Sequence, residues 1–124
     1  MKPEDIHRFE IIDNMKRVHT YNPSFDAAVN VLARTMHEYE DTTKKFHESG
    51  SHIIIKHTNK NGSTNIVKNP LYLALEKLRD DVIAYSRELG LTPAGLKRLN
   101  DELDSRGGTS KLANILNELD NYED

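Results

Sequence analysis

From Leu71 onward the apolar residues recur at alternating steps of four and three: Leu71, Leu75, Leu78, Val82, Tyr85 and Leu89. That rhythm puts all six on one stripe of a helix. Asn69-Pro70 supplies the start, because Asn69 can cap with its side-chain carbonyl and Pro70 gives up an N–H that would lack a partner anyway. Gly90 supplies the stop, since the residue just past a helix end is commonly left-handed. Thr92-Pro93 repeats the start signal and launches a shorter helix from Ala94 to Leu103. An upstream stretch, about Ser24 to Glu48, has the same rhythm at Phe25, Val29, Leu32, Met36, Tyr39, Thr43 and Phe46, and Gly50 closes it. Two long helices with a shared heptad rhythm are expected side by side, antiparallel and knobs into holes, each on the order of 30 Å long.

Around this pair the remaining elements are shorter. Pro3 opens a helix to about Arg17, with Ile6, Phe9, Ile12 and Met15 as its expected apolar side. Tyr21-Asn22-Pro23-Ser24 breaks it, because a residue before proline is pushed out of helical space. Between the long helices, Ile53-Ile54-Ile55 is β-branched, Asn61-Gly62 is a tight-turn pair, and Ile66-Val67 returns. This predicts a β-hairpin over about 51–68, which is marginal alone in water and should lean on the helices or on another subunit. After Leu103, Asp104 to Gly108 form a joint. Thr109 or Ser110 then caps a last helix with Leu112, Ile115, Leu116, Leu119 and Tyr122 on one side. The expected fold is therefore mainly α: an antiparallel long-helix hairpin, a small β-hairpin at its tip, and short N- and C-terminal helices. Residues 1–104 make the helical core with its β-hairpin, and 105–124 the joint and the amphipathic C-terminal helix.

Composition sharpens this in two ways. Only 36% of the 124 residues are hydrophobic and 30% are charged, so a full core is hard to build from one copy. Self-association is one way to finish it, with Leu71, Leu75, Leu78, Val82, Phe25 and Leu32 as the candidate contacts. The net charge of −3 is also unevenly spread. Residues 51–75 hold three basic groups and no acid, whereas residues 101–124 hold two basic and seven acidic groups. An anionic partner for the middle and a basic or apolar partner for the tail fit that split. There is no cysteine, which removes disulfides and thiolate ligands. No apolar run approaches the ~18 residues of a membrane span. MKPEDIHRFE is no signal peptide, so no membrane and a cytoplasmic address are expected.

Catalytic signatures are missing from the text. The six histidines are scattered, with no i, i+4 pair and no His-Glu-x-x-His. Gly107-Gly108-Thr109 lacks the lysine and spacing of a phosphate loop, and Ser86 and Ser110 have no base at a readable distance. No enzyme, metal or cofactor is expected. One motif stands out. Ser86 to Leu99 has the rhythm of a helix-turn-helix, with Leu89, Leu91, Leu96 and Leu99 at the packing positions. It reads either as a groove-reading helix capped by Thr92 or as a structural corner whose Lys97 and Arg98 touch nucleic acid less specifically. Lys97, Arg98 and Arg106, then Lys56, Lys60 and Lys68 at the hairpin, are the candidate DNA contacts.

The Asn-Pro-Leu helix start, the Leu-Gly-Leu-Thr-Pro-Ala corner and the following Lys97-Arg98-Leu99 resemble the small terminase subunits of tailed phages. The likeness extends over roughly residues 6–103, through Tyr21, Gly50 and the Thr-Asn-Lys-Asn-Gly hairpin. The chain departs at Gly95, where that family usually has Ser; a glycine there is expected to loosen the short helix. The resemblance implies a non-catalytic subunit in the host cytoplasm. Such a subunit forms a cyclic homo-oligomer of about eight to ten copies. It binds double-stranded viral DNA at the packaging site and delivers it to the large terminase subunit, the ATPase and nuclease. Two other readings stay open on the residues alone: a helical interaction protein without DNA binding, and a small helix-turn-helix regulator.

Overall fold

The computed structural model describes residues 1–105 together with Leu116, Glu118 and Leu119. The chain is mainly helical with one small sheet. Helix α1 spans Pro3–Arg17, a 3-10 turn Pro23–Phe25, α2 Asp26–Glu48, β1 Ile54–Thr58, β2 Thr64–Lys68, α3 Pro70–Glu88 and α4 Pro93–Ser105. The joint and last helix expected over 105–124 lie outside the described residues, apart from Ser105 at the end of α4 and three helical positions, where Leu116 and Leu119 are exposed.

Chain termination follows one device at three places. At the end of α3, Gly90 takes φ +72°, its N–H donates to the Arg87 carbonyl, and the Leu91 N–H reaches back to the Ser86 carbonyl. This paired closure satisfies two carbonyls that a helix end leaves without partners. Gly50 ends α2 the same way, with Ser51 N–H donating to the Phe46 carbonyl. At the end of α1 the left-handed position falls on His19, φ +61°, with Thr20 N–H donating to the Met15 carbonyl.

Helix α2 is central, with α1 and α3 packed on it. The main core joins Ile11 and Met15 of α1, Val29, Leu32 and Ala33 of α2, and Leu89 at the end of α3. At the other end of α2, Phe46 is buried and its ring lies 5.4 Å from that of Tyr72 in the first turn of α3. Two polar contacts add to the α1–α2 seam: His7 Nε2 lies 3.0 Å from a Glu40 carboxylate oxygen, and Arg34 lies 3.9 Å from Glu4.

Several expected faces are different in the folded chain. Ile6, Phe9, Ile12 and Met15 do not share one side of α1: Phe9 is 72% exposed and Ile6 is exposed, whereas Ile11 is buried. A step of three residues falls about 60° short of a full turn, so four such positions spread halfway around a helix. Steps of four, His7 to Ile11 to Met15, hold a face much better, and that is the side against α2. Phe25 belongs to the 3-10 turn instead of the α2 stripe, because Asn22 caps that turn by accepting from the Ser24 N–H, and Phe25 is left exposed. Of the expected stripe along α3 only Leu75 and Leu89, the residue just past the helix, are buried; Leu71, Leu78 and Val82 are half-buried and Tyr85 is exposed.

Candidate nucleic-acid interface

The β-hairpin begins where α2 ends. Gly50 and Ser51 both have left-handed backbone, φ +108° and +57°, which turns the chain sharply out of the helix. The strands then pair antiparallel with Ile55 opposite Val67, Lys56 opposite Ile66 and Thr58 opposite Thr64. The turn is wider than a two-residue Asn61-Gly62 bend. Gly62 N–H donates to the Asn59 carbonyl at 3.0 Å, so Lys60 and Asn61 are its central residues and Gly62, φ +85°, follows them. Asn61 steadies the bend by accepting from the Ser63 N–H. This gives Lys60 the outermost place.

One residue ties the hairpin to the helices. Asn69 accepts from the Leu71 N–H at 3.0 Å and so caps α3. Its side-chain amide donates to the His52 carbonyl at 2.8 Å, and its backbone N–H donates to the Ile53 carbonyl. Lys68 braces the same base. Its ammonium lies 2.8 Å from Glu76 and 5.5 Å above the Tyr72 ring. The hydrogen bond to Glu76, above all, holds the Lys68 pKa above the ordinary lysine value. Beyond this base no described helix packs extensively on the strands, so among the described residues the hairpin does not lean on the helices along its length.

Alternation divides the strands into two faces. Ile55 and Val67 are half-buried on one face; Ile54, Lys56, Thr58, Thr64 and Ile66 are exposed on the other. No acidic residue occurs between Glu48 and Glu76. Lys56 and Lys60 make no ion pair among the described residues, in contrast to Lys68.

The second candidate site is the corner between α3 and α4. Thr92 caps α4, its hydroxyl accepting from the Gly95 N–H at 3.0 Å. Gly95 is buried, and a Cβ placed there would sit 2.3 Å from the Arg87 carbonyl oxygen. The glycine therefore tightens the corner by letting α4 approach the backbone of α3, which reverses the expectation that it loosens the helix. Arg98 reaches Glu88 at 3.5 Å and Glu102 at 3.6 Å, so its charge is shared with two carboxylates. Lys97 is exposed and Arg106 lies outside the described residues. Corner and hairpin are at opposite ends of α3, about 30 Å apart by helix length, so the five described candidate cations do not form one patch.

The six candidate self-association residues are also separated. Leu32 and Leu75 are occupied by the protomer's own packing, Leu71, Leu78 and Val82 are half-buried, and Phe25 is exposed. Several large apolar side chains open to a neighbour were not singled out for that role from the pattern, among them Phe9, Val31 and Ile83 on helices and Ile54 and Ile66 on the hairpin. Among the described residues no group of three histidine, aspartate or glutamate side chains could hold a metal, and no helix is long and apolar enough to cross a membrane.

No curated protein and no solved structure matches the chain. A family model described as phage terminase, small subunit, does match, over residues 8–106. That span runs from α1 past the end of α4 and includes both candidate sites, and the chain belongs to the phage terminase small-subunit family.

Proposed function

We propose that this chain binds double-stranded viral DNA as a cyclic homo-oligomer and brings it to the large terminase subunit in the host cytoplasm. Membership of the family supports a role in phage DNA packaging. The observation that carries the DNA-binding part is the hairpin: an acid-free segment whose Lys56 and Lys60 make no ion pair among the described residues, in a chain that is acidic overall. In this reading Lys56, Lys60 and Lys97 contact phosphate. Arg98 and Arg106 add to the corner, and Lys68 positions the hairpin base. Repetition around a ring converts weak contacts into useful affinity, because each further contact is made within the same complex. The two long helices act as the arms of a helical hairpin whose exposed apolar side chains meet neighbouring copies. The acidic C-terminal segment is the part offered to the large subunit. The subunit works by binding and has no catalytic step of its own.

The test is binding of a labelled DNA duplex by the intact protein across a salt series. Phosphate contacts make log K fall linearly with log salt, by about 0.9 per contact. Exposed Phe9, Val31 and Ile83 favour a second reading, a helical interaction protein without DNA binding. It predicts self-association with no duplex affinity even at ~50 mM salt, where phosphate contacts are strongest.

A further inference from the structure

We propose that the β1–β2 hairpin is a DNA arm that lies across the major groove, with Lys56 and Lys60 on the phosphates of its two walls and Thr58 and Thr64 facing base edges between them. The inference rests on the DNA-binding reading above and names the element and groove that carry it.

Three observations converge on this arm. Among the described residues it is held at its base, by Asn69 and Lys68, and no described helix covers its strands. A two-stranded ribbon is marginal in water, so it gains from a partner along its length. Its charge is one-sided, since every ionised side chain from Lys56 to Lys68 is basic. A protein partner over this face would need its own carboxylates to bury Lys56, whereas phosphate supplies the counter-charge directly.

The third observation is geometric. The major groove, about 12 Å wide, admits a two-stranded ribbon. Lys56 stands in β1 and Lys60 in the turn beyond it, four residues on, so their backbones are at most about 13 Å apart. Between them, on the face of Lys56, the paired Thr58 and Thr64 hydroxyl oxygens lie 3.4 Å apart. Threonine can donate to or accept from base edges, and its methyl can meet the thymine methyl. Ile66, opposite Lys56 and 70% exposed, adds an apolar surface beside them. Lys68, bound to Glu76, serves as the brace and leaves the groove contacts to the other two lysines.

The experiment uses the full chain with a short labelled duplex, from about 50 to 200 mM salt. Three proteins are compared: wild type, Lys56→Gln with Lys60→Gln, and Lys97→Gln with Arg98→Gln. Mass in solution is measured for each, and binding is repeated on duplex methylated at guanine N7, which blocks the major groove. The proposal expects the hairpin variant to lose about 1.8 from the salt slope per docked arm, a salt sensitivity about 12-fold smaller over that range. Wild-type mass should be retained, and N7 methylation should weaken wild-type binding. An unchanged slope in the hairpin variant, with a loss in the corner variant, overturns the arm and leaves DNA binding standing. A changed mass in the hairpin variant overturns it in favour of pairing between copies. A slope loss without a methylation effect overturns the groove placement, and absence of duplex binding by wild type overturns this inference and the function together.

Discussion

Replacing Ile11 and Phe9 by alanine, one at a time, tests which side of α1 faces the core. Ile11 is 2% exposed and is packed among Met15, Val29 and Leu32, which are fully buried. Alanine removes three carbons there, about 2.4 kcal/mol of transfer free energy at ~0.8 per methylene. The surrounding helices cannot close the space fully, so a cavity contribution raises the cost to about 3–4 kcal/mol. Phe9 is 72% exposed. With about a quarter of its surface covered, truncation should cost under ~1 kcal/mol even though more atoms are lost. In melts followed by circular dichroism at one low protein concentration, Ile11→Ala should lower Tm by roughly 10–20 °C and Phe9→Ala by no more than ~5 °C. Equal losses would refute the observed face and restore the three-step pattern of Ile6, Phe9, Ile12 and Met15. A neighbour's contact on Phe9 would betray itself differently, because its loss would depend on protein concentration.

Further perturbations follow from other residues. Asn69→Ala removes the α3 cap and the tether to His52, a combined cost of about 2 kcal/mol by urea denaturation, whereas Asn69→Asp keeps the cap and should fall between. Gly95→Ala places a Cβ 2.3 Å from the Arg87 carbonyl oxygen, so α4 must shift by about 1 Å. Alanine's better helix propensity, ~1 kcal/mol, offsets part of that, so amide exchange in α4 should quicken while the global melt moves little. Glu76→Gln frees Lys68 and should steepen the salt dependence of duplex binding by up to ~0.9. The Lys68 pKa is raised in the folded chain, chiefly by the hydrogen bond to Glu76. Its stabilising effect is therefore complete below the ordinary lysine value of 10.5 and is lost as pH rises through the folded value. Melts of wild type and Lys68→Met should converge at that alkaline limit.

Much of the local structure was legible because it is written in single residues. Asn69-Pro70, Thr92-Pro93, Gly50 and Gly90 act through their own backbone and cap chemistry, and each sits where its type suggests. The hairpin was legible for a similar reason, from β-branched strands around an Asn-Gly bend. The side of α1 was not, because its apolar residues fit two faces and only packing on α2 chooses between them. Gly95 was misjudged for the same cause: its propensity is local, while its role is set by the carbonyl of Arg87 eight residues away. Site charges were readable as residue types but not as free charges. The i, i+4 spacing allows Arg98 to meet Glu102, but nothing in it shows that Arg98 also reaches Glu88 or that Lys68 is bound by Glu76, whereas Lys56 and Lys60 have no acid near them even in sequence.

The most direct test of the account is the affinity of the intact protein for duplex DNA from about 50 to 200 mM salt, measured alongside its mass in solution. The account predicts a multi-subunit species whose log K falls linearly with log salt, with a slope of several units from lysines repeated around the assembly. A protein that self-associates but binds no duplex at the lowest salt would contradict it.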